Sequence, residues 1–226
     1  MDVLTSTHAP VAQLDRAFAC GAKGRRFESC RVYHKQNCQR AIFLLYNWVM
    51  NEVVFNFFGE NKYWDLASDI LIGLVIGVFA SFVVMGLAQW IKRKSLKKVD
   101  AELTTMIPSL VLMAAIYVIF EKVVILGYRP ILIDGVSEPS FPSTHVLIAT
   151  TLVMMIIHAL PKYVSSQKAR YFTDIVLILM LFTIAFGRVA SGMHWVTDVL
   201  GGLVFGIDLA LLYGIILNWV KERKNV

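Results

Sequence analysis

Charged side chains are scarce in this 226-residue chain: Asp, Glu, Lys and Arg make up 17% of it, while 57% is hydrophobic. A soluble domain averages about 25% charged and roughly 45–50% apolar, so both departures exclude an ordinary soluble enzyme. The apolar content also excludes a disordered or collagen-like chain. Cysteine is nearly absent, and Cys20, Cys30 and Cys38 all fall in the first forty residues, at spacings that match neither a zinc site nor a disulfide scaffold. The N-terminal stretch lacks the compact apolar core and small-residue cleavage site of a secretory signal. No long repeat or low-complexity tract is present.

What the chain does contain is a series of apolar runs close to the roughly 20 residues that cross a bilayer. They predict an all-α integral membrane helical bundle with five spans: Leu66 to Ile91, Thr104 to Gly127, His145 to Leu160 (stopped by Pro161), Phe172 to Val189, and Trp195 to Trp219. Residues 41–58 are apolar too, but Asn47, Asn51, Glu52 and Asn56 recur at helical spacing. Each would be costly in hydrocarbon, which favours an interfacial helix over 41–60 and leaves a sixth span as the alternative. Gly73-x-x-x-Gly77 in the first span has the spacing of a close helix contact. The transmembrane domain is expected over 61–226.

Residues 1–40 differ abruptly from the rest, being polar, basic and without periodicity. Ala9 to Arg16 and Gly24 to Arg31 resemble the translation of a bacterial transfer-RNA gene; Phe27-Glu28-Ser29 can be encoded by TTC GAA TCC, a T-loop sequence. The stretch is expected to be a non-native or disordered extension, with a start plausible at Met50.

The net charge is +6, and in the apolar part of the chain the basic residues fall in clumps beside the apolar runs. Five of the seven residues from Lys92 to Lys98 are basic, and Lys162, Lys168 and Arg170, then Lys221, Arg223 and Lys224, mark the later turns. By the positive-inside rule these are cytoplasmic, so the charge reads as topology and not as nucleic-acid binding. The partners expected are membrane lipids and no nucleic acid.

That topology sets three polar clusters on the opposite, outer face: Lys122 with Arg129; Ser143, Thr144 and His145; and Arg188, His194 and Asp198. Singly, Lys122 and Arg188 read as snorkelling cations, His145 as an interfacial or capping residue, and His194 with Asp198 as an i,i+4 capping pair. Three cations converging on an outer face are harder to account for in that way. A helix beginning at Ser143 and Thr144 would add free N–H groups suited to an anion such as phosphate. Asp198 one turn after His194 suits a carboxylate that accepts from one imidazole nitrogen and leaves the other free to attack. Two histidines and one carboxylate beside three cations would set a metal in a repulsive field, so no metal and no cofactor is expected. His158 reads as interfacial, and Asp208 as a buried polar contact in the last span.

Together these residues resemble the type 2 phosphatidic acid phosphatase (PAP2) family of integral membrane lipid phosphatases, over roughly residues 60–220. Lys122 through Arg129-Pro130 matches its Lys-x6-Arg-Pro motif, Pro142-Ser143-Thr144-His145 its Pro-Ser-Gly-His motif, and Gly187-Arg188, His194 and Asp198 its Ser-Arg-x5-His-x3-Asp motif. The resemblance implies that His194 attacks phosphorus to give a phosphohistidine, Asp198 orients it and His145 protonates the leaving oxygen. It also implies that Lys122, Arg129, Ser143, Thr144 and Arg188 hold the phosphate without a metal. Thr144 stands where the family has glycine, so a positive φ there would strain the phosphate contact, and Gly187 replaces a serine. The implied activity is hydrolysis of undecaprenyl diphosphate, phosphatidylglycerol phosphate or phosphatidate at the outer face of a bacterial cell membrane. The competing class is a membrane protein that binds or translocates a lipid phosphate without hydrolysing it.

Cysteines placed at Ser95 and Ser166 are expected to resist an impermeant thiol reagent in intact cells, while one at Ser137 reacts. Reversed labelling overturns this topology.

Overall fold

Hydrocarbon offers no water to backbone N–H and C=O groups, so a spanning segment has to satisfy them within its own helix. The computed structural model describes residues 50–133 and 135–224, and in them it forms six helices and two isolated β-bridges. Helix α1 is described over 50–58, α2 is Lys62–Arg93, α3 is Ala101–Val123, α4 is Thr144–Tyr163, α5 is Gln167–Ala190 and α6 is Val196–Lys224. The last five are each long and apolar enough to cross a membrane. The reading of residues 1–40 as an extension, and the first part of the 41–60 helix, lie outside the described residues.

Local chemistry sets most of the helix ends. The Asn61 side chain caps α2, accepting from the N–H groups of Tyr63 and Trp64 at 3.0 and 3.4 Å. Lys94, at φ 51, closes it with an N–H donated to the Trp90 carbonyl at 2.8 Å. Ser166 caps α5 by accepting from Ala169 N–H. The second span, α3, is less regular than its apolar run suggests. It comprises Ala101–Thr104, Met106–Val118 and a π-helical turn, Ile119–Val123, and it ends short of the expected Gly127 because Val124 leaves helical geometry.

Pro161 does not stop α4, which runs on to Tyr163. A proline in the last turn forfeits only its own N–H bond, and Val164 N–H still reaches the Leu160 carbonyl at 3.0 Å.

α4 is the central span. Within its apolar stretch 61% of residues are buried, against 22–33% in the other four. Val146, Leu147, Val153, Ile156 and Ala159 are enclosed, and Leu209, Tyr213 and Leu217 of α6 are buried in the same core. Large apolar residues elsewhere face outward: Ile70, Leu74 and Ile91 on α2, Phe172, Leu179 and Phe182 on α5, Val204, Leu211 and Ile215 on α6. An apolar belt of this extent is a lipid-facing surface. Asp208 lies on that belt and is exposed, contrary to the expected buried contact, because it sits on the side of α6 opposite Gly202 and Gly206, which face α4.

The close helix contact is also elsewhere than expected. Gly73 and Gly77 have nothing within 4 Å of an added Cβ, whereas a Cβ at Gly202 would lie 2.7 Å from the Ser143 carbonyl oxygen and one at Gly206 2.5 Å from Thr150 Cβ. α6 thus approaches α4 through its glycines. Gly202→Ala is expected to lower stability by about 1–3 kcal/mol, as overpacking does, and Gly77→Ala to leave it unchanged; thermal unfolding in detergent compares them. Equal stability of the two variants refutes this packing.

Candidate active site

Two helix starts and one helix end meet at one end of the bundle. The Ser143 N–H donates to the Asp198 backbone carbonyl at 2.9 Å, which joins the start of α4 to the first turn of α6. The chain leaves α5 at Ala190 and turns at Gly192, whose φ is 73 and whose missing Cβ would sit 2.8 Å from the Gly59 carbonyl oxygen. Only glycine suits both conditions. That turn lets His194 N–H donate to the Arg188 carbonyl at 3.1 Å, which fixes the histidine just before α6 begins.

The loop between α3 and α4 forms the opposing wall. Arg129 N–H donates to the Glu138 carbonyl and Ser140 N–H to the Gly127 carbonyl, both at 3.0 Å. Trp195 Nε1–H, donating to the Tyr128 carbonyl at 2.8 Å, ties this loop to the His194 turn.

His194 is buried, and its Nδ1 lies 3.0 Å from the Ser140 carbonyl oxygen. A carbonyl only accepts, so Nδ1 carries the proton and Nε2 bears the lone pair. Nε2 is itself buried and has no hydrogen-bond partner. Asp198 Oδ2 is 3.7 Å from Nδ1, beyond hydrogen-bond distance, and accepts instead from Trp195 N–H at 3.0 Å. The expected carboxylate thus stands beside the ring at ion-pair distance, with the Ser140 carbonyl as the closer acceptor. His194 precedes the helix, Asp198 caps it, and the nearest acceptor for the imidazole is a main-chain carbonyl.

Arg188 is buried and held by carboxylates that sequence reasoning missed. Its Nη1 is 2.7 Å from Asp65 Oδ1 and 3.4 Å from Asp69 Oδ1, with Ser68 Oγ at 3.3 Å. Asp69 also meets His145 Nε2 at 3.0 Å. The signal was present: two carboxylates four residues apart in an otherwise apolar run are costly unless paired. Ser140 contributes through its main chain and left no such trace.

Arg129 Nε pairs with Glu138 at 3.3 Å. Lys122 is not brought in with the others: it sits on the π-helical turn, its side chain is exposed, and its Nζ pairs only with the adjacent Glu121 at 3.5 Å. Thr144 is the first residue of α4 and is not among the positive-φ positions, so its replacement of glycine introduces no strain. Gly187 packs against α2, where a Cβ would meet Ser68 Cβ and the Trp64 carbonyl oxygen at 3.2 Å.

Among the described residues, the buried atoms without a hydrogen-bond partner include Ser140 Oγ, Ser143 Oγ, Arg188 Nε and His194 Nε2. Each costs about 1–3 kcal/mol if left unmatched, and together they offer anion donors beside a nucleophilic nitrogen.

The family model of the PAP2 superfamily matches residues 109–223, about half of the chain. The chain belongs to the PAP2 superfamily. The crystal structure of the first transmembrane PAP2 type phosphatidylglycerolphosphate phosphatase from Bacillus subtilis superposes with a TM-score of 0.55 at 17% identity, covering 95% of this chain and 97% of that one. The two share a fold. The lipid phosphate phosphatase delta of Arabidopsis thaliana is 33% identical over 102 residues, 41% of this chain and 24% of the plant protein. The chain thus spans about a quarter of that relative's length. With five spans and the PAP2 fold, it is a multi-pass membrane protein.

Burial holds the His194 imidazole below its usual value of 6.5; Asp198 opposes this, and the charges of Arg188 and Arg129 reinforce it. His194 is therefore neutral at pH 7. Titration of the ring by NMR is expected to give a midpoint below 6.5, and Asp198→Asn, which removes the opposing negative charge, to move it lower still. A midpoint above 6.5, or a rise in the variant, contradicts these causes.

Proposed function

We propose that the chain is a membrane phosphatase that hydrolyses a lipid phosphate or isoprenoid diphosphate through a phosphohistidine at His194. The observation that carries this reading is the buried, unpartnered Nε2 of His194, whose lone pair is left free by an Nδ1–H held on the Ser140 carbonyl. A site that only bound phosphate would have no use for a nucleophile presented in this way.

In the proposed cycle Nε2 attacks phosphorus, the N–P bond forms and the bond from phosphorus to the leaving oxygen breaks, an oxygen of the lipid alcohol in a monoester or of the remaining phosphate in a diphosphate. His145 gives that oxygen its proton. Water then attacks the phosphohistidine, giving a proton back to His145 as the N–P bond breaks, which releases inorganic phosphate and restores both imidazoles. Arg129, Arg188, Ser143 Oγ and the first N–H groups of α4 stabilise the equatorial oxygens, where most of the barrier to phosphoryl transfer is met. Arg188 and His145 exchange their carboxylate partners for phosphate as substrate enters. Asp198 contributes by fixing the start of α6 and by its charge. Lys122 takes its role from the family motif and has to leave Glu121 to reach the phosphate.

The family, and the phosphatase names carried by both relatives, support a lipid phosphate as substrate. Undecaprenyl diphosphate, phosphatidylglycerol phosphate and phosphatidate are the candidates. The basic turns at the opposite span ends support an outer-face site, on this reading in a bacterial cell membrane.

The test is phosphate release by detergent-purified protein across lipid monophosphates and diphosphates, with chelator present. Release is expected to persist with chelator, since side-chain cations and a helix N-terminus meet the charge, and to vanish in His194→Ala. Retained hydrolysis in that variant, or loss on chelation restored by magnesium, overturns the mechanism. Binding without release by the wild type favours the non-hydrolytic reading.

A further inference from the structure

The end of the bundle opposite His194 carries a cavity of about 340 Å³ whose charged lining is Lys98, Asp100, Glu102, Lys162 and Lys221. Three elements build it: the 3-10 turn Leu96–Lys98 with the start of α3, the last turn of α4, and the last turns of α6. Its size is that of a small-molecule site. It is far from the candidate active site because α4 and α6 each present His145 or Asp198 at one end and Lys162 or Lys221 at the other.

The two carboxylates in this lining are already matched. Asp100 accepts from Gln89 Nε2 at 2.8 Å, Arg93 Nη1 at 3.1 Å and the Tyr163 hydroxyl at 3.3 Å. Glu102, which is buried, pairs with Lys221 at 3.0 Å. Among the described residues neither Lys98 nor Lys162 meets a carboxylate. The cavity wall therefore keeps two uncompensated cations, while the pairs beside them hold the loop and both helix ends in place. A topology signal needs only charge near a span; it does not need three elements to gather that charge around one cavity.

We infer that this cavity is a second anion site, which takes the phosphodiester of an acidic phospholipid headgroup from the leaflet at that end. The surroundings favour a lipid over a free anion. Leu96, two residues before Lys98, is exposed, and so is Trp219, two residues before Lys221, with Arg223 stacked 3.9 Å from its ring. Exposed leucine and tryptophan at the same span ends mark the interfacial depth, so a basic pocket there stands level with the headgroups. This assignment does not depend on the proposed hydrolysis.

Native mass spectrometry of the full chain tests it, with phosphatidylglycerol and phosphatidylcholine of identical tails as probes. Wild type is expected to retain phosphatidylglycerol preferentially. Lys98→Gln with Lys162→Gln is expected to cut that retention on the order of tenfold, each single substitution giving an intermediate loss, and melting without lipid staying unchanged. A control pair on the same end but outside the cavity, Lys168→Gln with Arg170→Gln, is expected to keep the preference. Equal retention by the Lys98/Lys162 variant, or equal loss in the control, overturns the site. Displacement of the lipid by excess inorganic phosphate overturns the lipid as its ligand in favour of a free phosphate.

Discussion

The contact between α4 and α6 is what the rest of the structure depends on. Gly202 and Gly206 let the backbones approach until Ser143 N–H reaches the Asp198 carbonyl at 2.9 Å. That bond sets the relative height of the two helices, and with it the separation of Ser143 and His145 on one from Asp198 and the preceding His194 on the other. Side chains larger than hydrogen on that face of α6 would push the helices apart, and each candidate site residue would then sit correctly on its own helix and wrongly with respect to its partner.

Charge is the second constraint. Arg188 is nearly enclosed, and an unmatched guanidinium there would be prohibitively costly. Asp65 and Asp69 remove that cost by lying against it, and Asp69 reaches His145 as well. α2, which carries none of the family's three motifs, is thereby part of the site's electrostatics. On the proposed reading an incoming phosphate competes with these carboxylates, so affinity is the difference between two ionic arrangements. A dianion with two or more oxygens to offer has the advantage over a single carboxylate at each cation.

The fold was legible because hydrocarbon enforces it. Runs of apolar residues near 20 long admit little but helix, and all five spans fall within a few residues of their expected bounds. The departures come from features that hydropathy does not register, such as the π-helical turn that ends α3, the proline tolerated in the last turn of α4, and the choice of which glycines face a neighbour. At the site, residue types in motif order located Arg129, Ser143, His145, Arg188, His194 and Asp198. They could not reveal that His194 stands two residues outside the helix, that a main-chain carbonyl at Ser140 fixes its tautomer, or that Lys122 pairs with Glu121. Main-chain acceptors have no residue type, and side-chain direction on a turn is not periodic.

Helix lengths have a consequence for how substrate is met. At 1.5 Å per residue, the 20 residues of α4 span about 30 Å, the thickness of the hydrocarbon core. α2, with 32 residues, is about 48 Å long and overhangs it. With no length to spare, α4 sets Thr144 and His145 at the boundary between tails and headgroups, the depth at which a lipid's own phosphate resides. On the proposed reading the substrate need not be lifted from the bilayer, only slide sideways into place. The relevant concentration is then a mole fraction within the sheet of lipid, and the reaction slows when inert amphiphile dilutes that sheet even though the amount of substrate per volume is unchanged.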